Sequence, residues 1–167
     1  LFVGRMESIK RPDLAVRAMP HVDRPIRLVM VGEGTQRALV EELARSLGVS
    51  DRVDFAGGVD EQLLVDLYKG ALAVVYSPFD EDYGYVTLES FLARKPVITT
   101  TDAGGPLEFV EAGTNGFVAE PVPAAIAEAV NRLAADRRRA ASLGDAGYER
   151  ARLVTWEGVI EKLVQSR

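Results

Sequence analysis

The stretch Ala73-Val74-Val75-Tyr76-Ser77-Pro78-Phe79-Asp80-Glu81-Asp82-Tyr83-Gly84-Tyr85-Val86-Thr87-Leu88-Glu89-Ser90-Phe91 decides the fold. It opens on a short apolar β-rich run, Ala73–Tyr76, passes through an acidic loop, and enters a segment from about Tyr85 to Ala93 that suits a helix. This is one strand–loop–helix unit, and it recurs on both sides. Further strands are expected at Leu1–Val3, Ile26–Val31, Val53–Ala56 and Val97–Thr100, with a sixth candidate at Phe117–Ala119. Pro12 opens a helix at its first turn, Thr35 starts one that ends at Gly48, Asp60 caps a third, and Pro106 begins another. Short apolar strands alternating with helices predict an α/β fold, a doubly wound parallel sheet buried on both faces. Such sheets bind ligands in the crevice beyond the carboxyl ends of their strands, which directs attention to the loops after Val3, Val31, Ala56, Tyr76 and Thr100. From Pro121 onward only helices are expected, at 124–135, 137–151 and 156–164, and no repeat or linker divides residues 1–167 into two domains.

Composition narrows the function. The chain has 167 residues, and 20 Lys and Arg against 25 Asp and Glu give a net charge of −5. That balance withholds the attraction that non-specific binding to nucleic acid or an anionic membrane needs. Apolar runs such as Ala71–Tyr76 fall far short of the roughly 18 residues of a membrane span. The absence of Cys excludes disulfides, thiolate metal sites and cysteine nucleophiles, and a single His excludes a multi-histidine metal site. A cytoplasmic setting is expected. The chain begins Leu1-Phe2-Val3-Gly4, without an initiator Met or a signal-peptide leader, so a start inside a strand and a preceding partner domain are expected.

Two loops carry the chemistry. After the first strand, Arg5 and Lys10 flank the approach to a helix N-terminus, an arrangement suited to phosphate: Arg forks two donors onto one group, and Lys acts as a mobile point charge. After the fourth, Glu81 lies in the loop and Glu89 one turn into the helix, on the same face as Tyr85. Gly84 stands at the helix mouth, where backbone amides can approach an anion.

Together these segments resemble the nucleotide-binding C-terminal domain of retaining glycosyltransferases of the two-Rossmann-domain (GT-B) type, glycosyl transferases group 1, typified by glycogen and sucrose-phosphate synthases and bacterial mannosyltransferases. The resemblance rests on an ordered set covering almost the whole chain: Gly4-Arg5 followed by Lys10, Gly32-Glu33-Gly34, Phe55-Ala56-Gly57, Glu81 to Glu89 with Tyr83-Gly84 inside, Gly104-Gly105-x-x-Glu108, and Asn115-Gly116-Phe117. It implies transfer of a hexose from a nucleotide-diphosphate sugar with retention of configuration, in polysaccharide or glycoconjugate synthesis. It also implies that Arg5 and Lys10 clamp the diphosphate, that amides near Gly84, Tyr85 and Val86 meet the distal phosphate or sugar, that Glu89 holds ribose hydroxyls, and that Glu81 contacts the transferred sugar. Main-chain groups around Gly57-Gly58-Val59 would hold the base, with Val59 the nucleobase residue, and UDP, GDP and ADP all stay open. No metal and no cofactor are implied, since two cations and a helix end can neutralise the leaving diphosphate and the nucleotide sugar is a substrate. The acceptor site would belong to the N-terminal domain, as would any peripheral membrane contact, so residues 1–167 alone are expected to bind nucleotide weakly and without turnover. Two departures stand out. Arg11 occupies a position often held by Gly, where a solvated side chain is expected, and Tyr83 replaces a commoner Phe.

Other readings compete. A nucleotide-sugar epimerase, a sugar phosphorylase or a non-catalytic nucleotide-binding domain would share the architecture. Asp80-Glu81-Asp82 matches the Asp-x-Asp pattern of metal-dependent glycosyltransferases of a different fold. Gly32-x-Gly34 begins a dinucleotide fingerprint, but Arg37 stands where its third small residue belongs. His21 is expected on the surface at the opposite end of the strands, Gly104 and Gly105 in a close turn, and Tyr148 and Trp156 in packing. The run Arg137–Arg139 is expected on a solvated face.

Overall fold

A computed structural model of the chain describes residues 1–155 and Val164. Among the described residues six short parallel strands are present: β1 (Phe2–Val3), β2 (Leu28–Val31), β3 (Val53–Gly57), β4 (Val74–Val75), β5 (Val97–Thr100) and β6 (Gly116–Ala119). They form two three-stranded sheets, β1-β2-β3 and β4-β5-β6. The sheets meet where the Leu1 amino group donates to the Ala73 carbonyl at 3.0 Å and the Val75 amide donates to the Leu1 carbonyl at 2.9 Å. The order across the molecule is therefore β3-β2-β1-β4-β5-β6, the doubly wound arrangement whose direction reverses between β1 and β4.

Side-chain alternation along the strands builds the two cores. Phe2, Leu28, Met30, Val75 and Ile98 point to one face, where they pack with Leu14, Val40 and Ile126. Their neighbours Val3, Val31, Val74 and Val97 point to the other, against Tyr68 and Phe91. A strand covered on both sides has no polar face, which is why β5 is buried at every position. The helices supplying these layers are α1 (Pro12–Ala18), α2 (Arg37–Ser46), α3 (Glu61–Gly70), α4 (Tyr85–Leu92), α5 (Pro123–Ala135) and α6 (Arg137–Ala151). Pro12 occupies the first turn of α1, and the Asp60 carboxylate accepts the Leu63 amide at 2.8 Å to cap α3.

Two expected helix starts are corrected. Thr35 does not begin α2, because its hydroxyl donates to Glu7 at 2.7 Å and its amide also reaches that carboxylate, so the helix starts at Arg37. Pro106 begins no α-helix: it lies in a single 3-10 turn, Gly105–Glu108. Buried Asn115 ends that turn by donating to the Phe109 carbonyl at 2.9 Å and accepting the Glu111 amide at 2.8 Å, which folds the chain back into β6. The expected helix at 156–164 and the packing of Trp156 lie outside the described residues, Val164 apart.

Candidate active site

The reversal between β1 and β4 parts the loops that leave those strands and opens a crevice above them. The first loop runs from Gly4 through buried Met6 to a 3-10 turn, Ser8–Lys10, which lifts Lys10 into the opening. The second is laid against the segment after β5: the Asp80 amide bonds to the Asp102 carbonyl and the Glu81 amide to the Ala103 carbonyl, each at 2.9 Å, and Gly105 returns a bond to the Glu81 carbonyl at 2.6 Å. A Cβ on Gly105 would stand 2.4 Å from the Asp82 carbonyl oxygen, so this close turn requires glycine. That agrees with the turn expected at Gly104-Gly105.

These two loops bring Lys10 and Glu81 into an ion pair, with only 16% and 19% of their side chains exposed. The Tyr76 hydroxyl, at the end of β4, donates to the same Glu81 oxygen at 3.0 Å. Burial, and then the neighbouring Arg5 charge, hold the Lys10 ammonium below the usual lysine range, partly offset by Asp82. Burial, with the negative charge of Glu89, pushes the Tyr76 phenol up to about 12, so it remains a donor at neutral pH. Glu89 has its own tyrosine: the buried Tyr68 hydroxyl on α3 donates to it at 2.9 Å, and burial beside that carboxylate raises the Tyr68 pKa.

Gly84 caps α4 from the left-handed region, φ 77°, where a Cβ would come within 2.7 Å of the Pro106 ring. Among the described residues the Tyr85 and Val86 amides have no backbone acceptor, which leaves the positive end of α4 open. Lys10, Tyr76, Glu81 and residues 82–86 line one cleft of about 360 Å³. Arg5, Glu89 and Val59 are not in its lining: Arg5 is exposed and free of ion pairs among the described residues, Glu89 lies one turn further along α4, and Val59 is half-buried after β3. A second cavity of about 410 Å³, lined mainly by apolar side chains including Leu28 and Ile126, lies away from the crevice.

The expectation of a solvated Arg11 is corrected. Its backbone is left-handed, φ 48°, and its guanidinium donates to the Ser77 and Pro78 carbonyls, to Thr100 Oγ1 and to both Asp102 oxygens, at 2.7–2.8 Å. The loop after β4 opens with carbonyls that have no strand partner, and Arg11 is the donor that reaches them. Its bond to Asp102 holds that carboxyl below the usual range. The sequence did not reveal Tyr68 and Tyr76 either. Tyr76, a polar-tipped aromatic at the carboxyl end of a strand, carried a usable signal, whereas nothing local to Tyr68 points to Glu89, 21 residues away. His21 is exposed, the Arg137–Arg139 run is exposed, and Tyr148 packs under the Arg94 guanidinium 3.9 Å from its ring centre, as packing predicts. Among the described residues no three acids or histidines group to hold a metal ion.

Residues 1–150 match the family model for glycosyl transferases group 1. The chain belongs to this family. It is 32% identical, over 97% of its length, to a D-inositol 3-phosphate glycosyltransferase of Corynebacterium diphtheriae, of which it spans 40%. It is 37% identical, over 81% of its length, to an uncharacterised glycosyltransferase of Methanocaldococcus jannaschii, of which it spans 35%. The chain thus spans well under half the length of the curated relatives it matches. Among solved structures it resembles Anabaena HepE in complex with UDP and glucose, with a TM-score of 0.84 and 25% identity over 99% of this chain and 48% of that one. The fold is that of one half of the GT-B architecture of glycosyltransferases.

Proposed function

We propose that this chain is the donor half of a retaining glycosyltransferase that takes its hexose from a nucleotide-diphosphate sugar without a metal ion. The observation that carries the reading is the convergence of Lys10, Glu81 and the open end of α4 on one cleft at the switch point. Breaking the bond between a sugar and a diphosphate develops negative charge on the leaving group and positive charge on the sugar. Lys10, joined by exposed Arg5, and the amides at Gly84, Tyr85 and Val86 neutralise the first. Glu81 faces the second. Glu89, oriented by Tyr68, takes the ribose hydroxyls, and the main chain at Val59 takes the base. HepE, described with UDP and glucose bound, supports a nucleotide-sugar ligand for this fold. The acceptor and the rest of the machinery belong to a partner domain, so residues 1–167 bind nucleotide and transfer nothing alone, in a cytoplasmic enzyme.

Calorimetric titration with UDP, GDP and ADP, each with Mg²⁺ and with EDTA, tests this reading. One nucleotide is expected to bind equally well under both conditions, and Arg5→Ala and Glu89→Ala each weaken it. Strict dependence on the metal would favour the Asp80–Asp82 reading instead. Tyr68→Phe leaves one Glu89 oxygen without its donor and is expected to weaken the same nucleotide about threefold to tenfold, near 1 kcal/mol for a lost hydrogen bond. An unchanged affinity would remove Tyr68 from ribose recognition.

A further inference from the structure

Three aromatic rings form a ladder at the rim of the cleft. Half-buried Phe109 meets Tyr83 edge-on, with centroids 5.3 Å apart, and Tyr83 meets Tyr85 at 4.8 Å with the planes tilted by 49°. Exposure grows along the ladder, to 36% for Tyr83 and 70% for Tyr85. The outermost ring is thus held by its neighbour while most of its own surface faces solvent. Both tyrosines line the same cleft as Lys10 and Glu81.

A side chain at the first position of a helix is free to swing into water. Holding it beside a second ring orders its rotamer and leaves apolar surface wet, a combination that marks a contact surface. The ring stands at the helix end proposed to receive the distal phosphate, so a phosphate held there carries its substituent past Tyr85. A hexose offers one face of C–H groups, suited to an aromatic ring, and a rim of hydroxyls, suited to the Glu81 carboxylate. The cleft supplies both partners, and bare phosphate uses neither.

We propose that Tyr85, braced by Tyr83 and Phe109, is the stacking surface for the hexose of the donor and a determinant of which sugar the site accepts. This rests on the donor-site reading above. The test is calorimetric titration of the chain, of Tyr85→Ala and of Tyr85→Phe, with paired probes: UDP and UDP-glucose, GDP and GDP-mannose, ADP and ADP-glucose. Alanine at this position keeps the backbone amide and the helix. The expected result is that Tyr85→Ala weakens the hexose conjugate about tenfold and the bare nucleotide less than twofold, while Tyr85→Phe binds both as the parent does. Equal losses for both members of a pair would assign the ring to the nucleotide and overturn the proposal. So would no loss for either, or a loss of conjugate binding in Tyr85→Phe, which would assign the contact to the hydroxyl. If the parent chain binds none of the six probes, the donor-site reading itself falls, an outcome distinct from a parent that binds and a Tyr85→Ala variant that matches it.

Discussion

In the two-domain enzyme proposed above, Glu81→Gln is expected to lower sugar transfer by at least about 10²-fold while bare nucleoside diphosphate binds tighter, by roughly threefold to tenfold. The two effects have one origin. Lys10 is paired with Glu81 before any ligand arrives, so an incoming diphosphate has to take the ammonium from a carboxylate and tolerate that carboxylate nearby. Glutamine keeps an oxygen for Lys10 and for the Tyr76 hydroxyl and removes the negative charge. The pair is partly solvated, which keeps the gain near 1 kcal/mol. Transfer suffers because the developing positive charge on the sugar loses its carboxylate. Lys10→Ala should move affinity the other way. Because the Lys10 ammonium is held below the usual lysine range, nucleotide affinity should also begin to fall at a lower pH than an ordinary lysine would give. Calorimetry alongside a transfer assay checks both. A Glu81→Gln variant whose nucleotide affinity falls together with transfer would mean that Glu81 supports the diphosphate rather than opposing it.

What was legible in the sequence was local. Val97–Thr100 is a strand to the residue, because four consecutive apolar or β-branched side chains fit only a position buried on both faces. Tyr85 begins α4, since Gly84 before it takes the left-handed cap that other residues resist. Glu81 and Lys10 were expected to share a crevice because each follows the carboxyl end of a strand, and they do. The misses depend on side-chain partners, several of them far off in the sequence. Pro106 carries a genuine helix-start signal, but Asn115, nine positions later, fixes the chain before a second turn forms. Tyr68 reaches Glu89 from another helix, and Arg11 reaches Asp102 across 91 residues. A lone arginine in a loop looks solvated when its partners are carbonyls, which every residue has and no sequence pattern marks.

Arg11→Ala is expected to lower stability by about 2–3 kcal/mol, or roughly 5–10 °C in Tm for a domain of this size. The guanidinium joins the start of α1 to the loops after β4 and β5, and its removal leaves two carbonyls, one hydroxyl and a carboxylate without their donor. Asp102 is 30% exposed, so water recovers part of the loss and the cost stays below that of a fully buried pair. Arg11→Gly separates the tether from the backbone. The residue sits at φ 48°, where glycine is unstrained and alanine is not, so the glycine variant should be more stable than the alanine one by about 1 kcal/mol although it lacks the same side chain. The Asp102 carboxyl is depressed in the folded state, so its contribution is complete above the ordinary aspartate value of 3.8 and disappears as pH falls through the lower folded value. The stability gap between the parent and Asp102→Asn should therefore close in acid. Loop 77–82 carries Glu81, so both Arg11 variants should lose more transfer than nucleotide affinity. Thermal melts at neutral pH order the three proteins as parent, glycine variant, alanine variant. Equal melting of the two variants would show that position 11 carries no backbone strain, and a parent no more stable than either would show that the Arg11–Asp102 bridge is not what holds the loop.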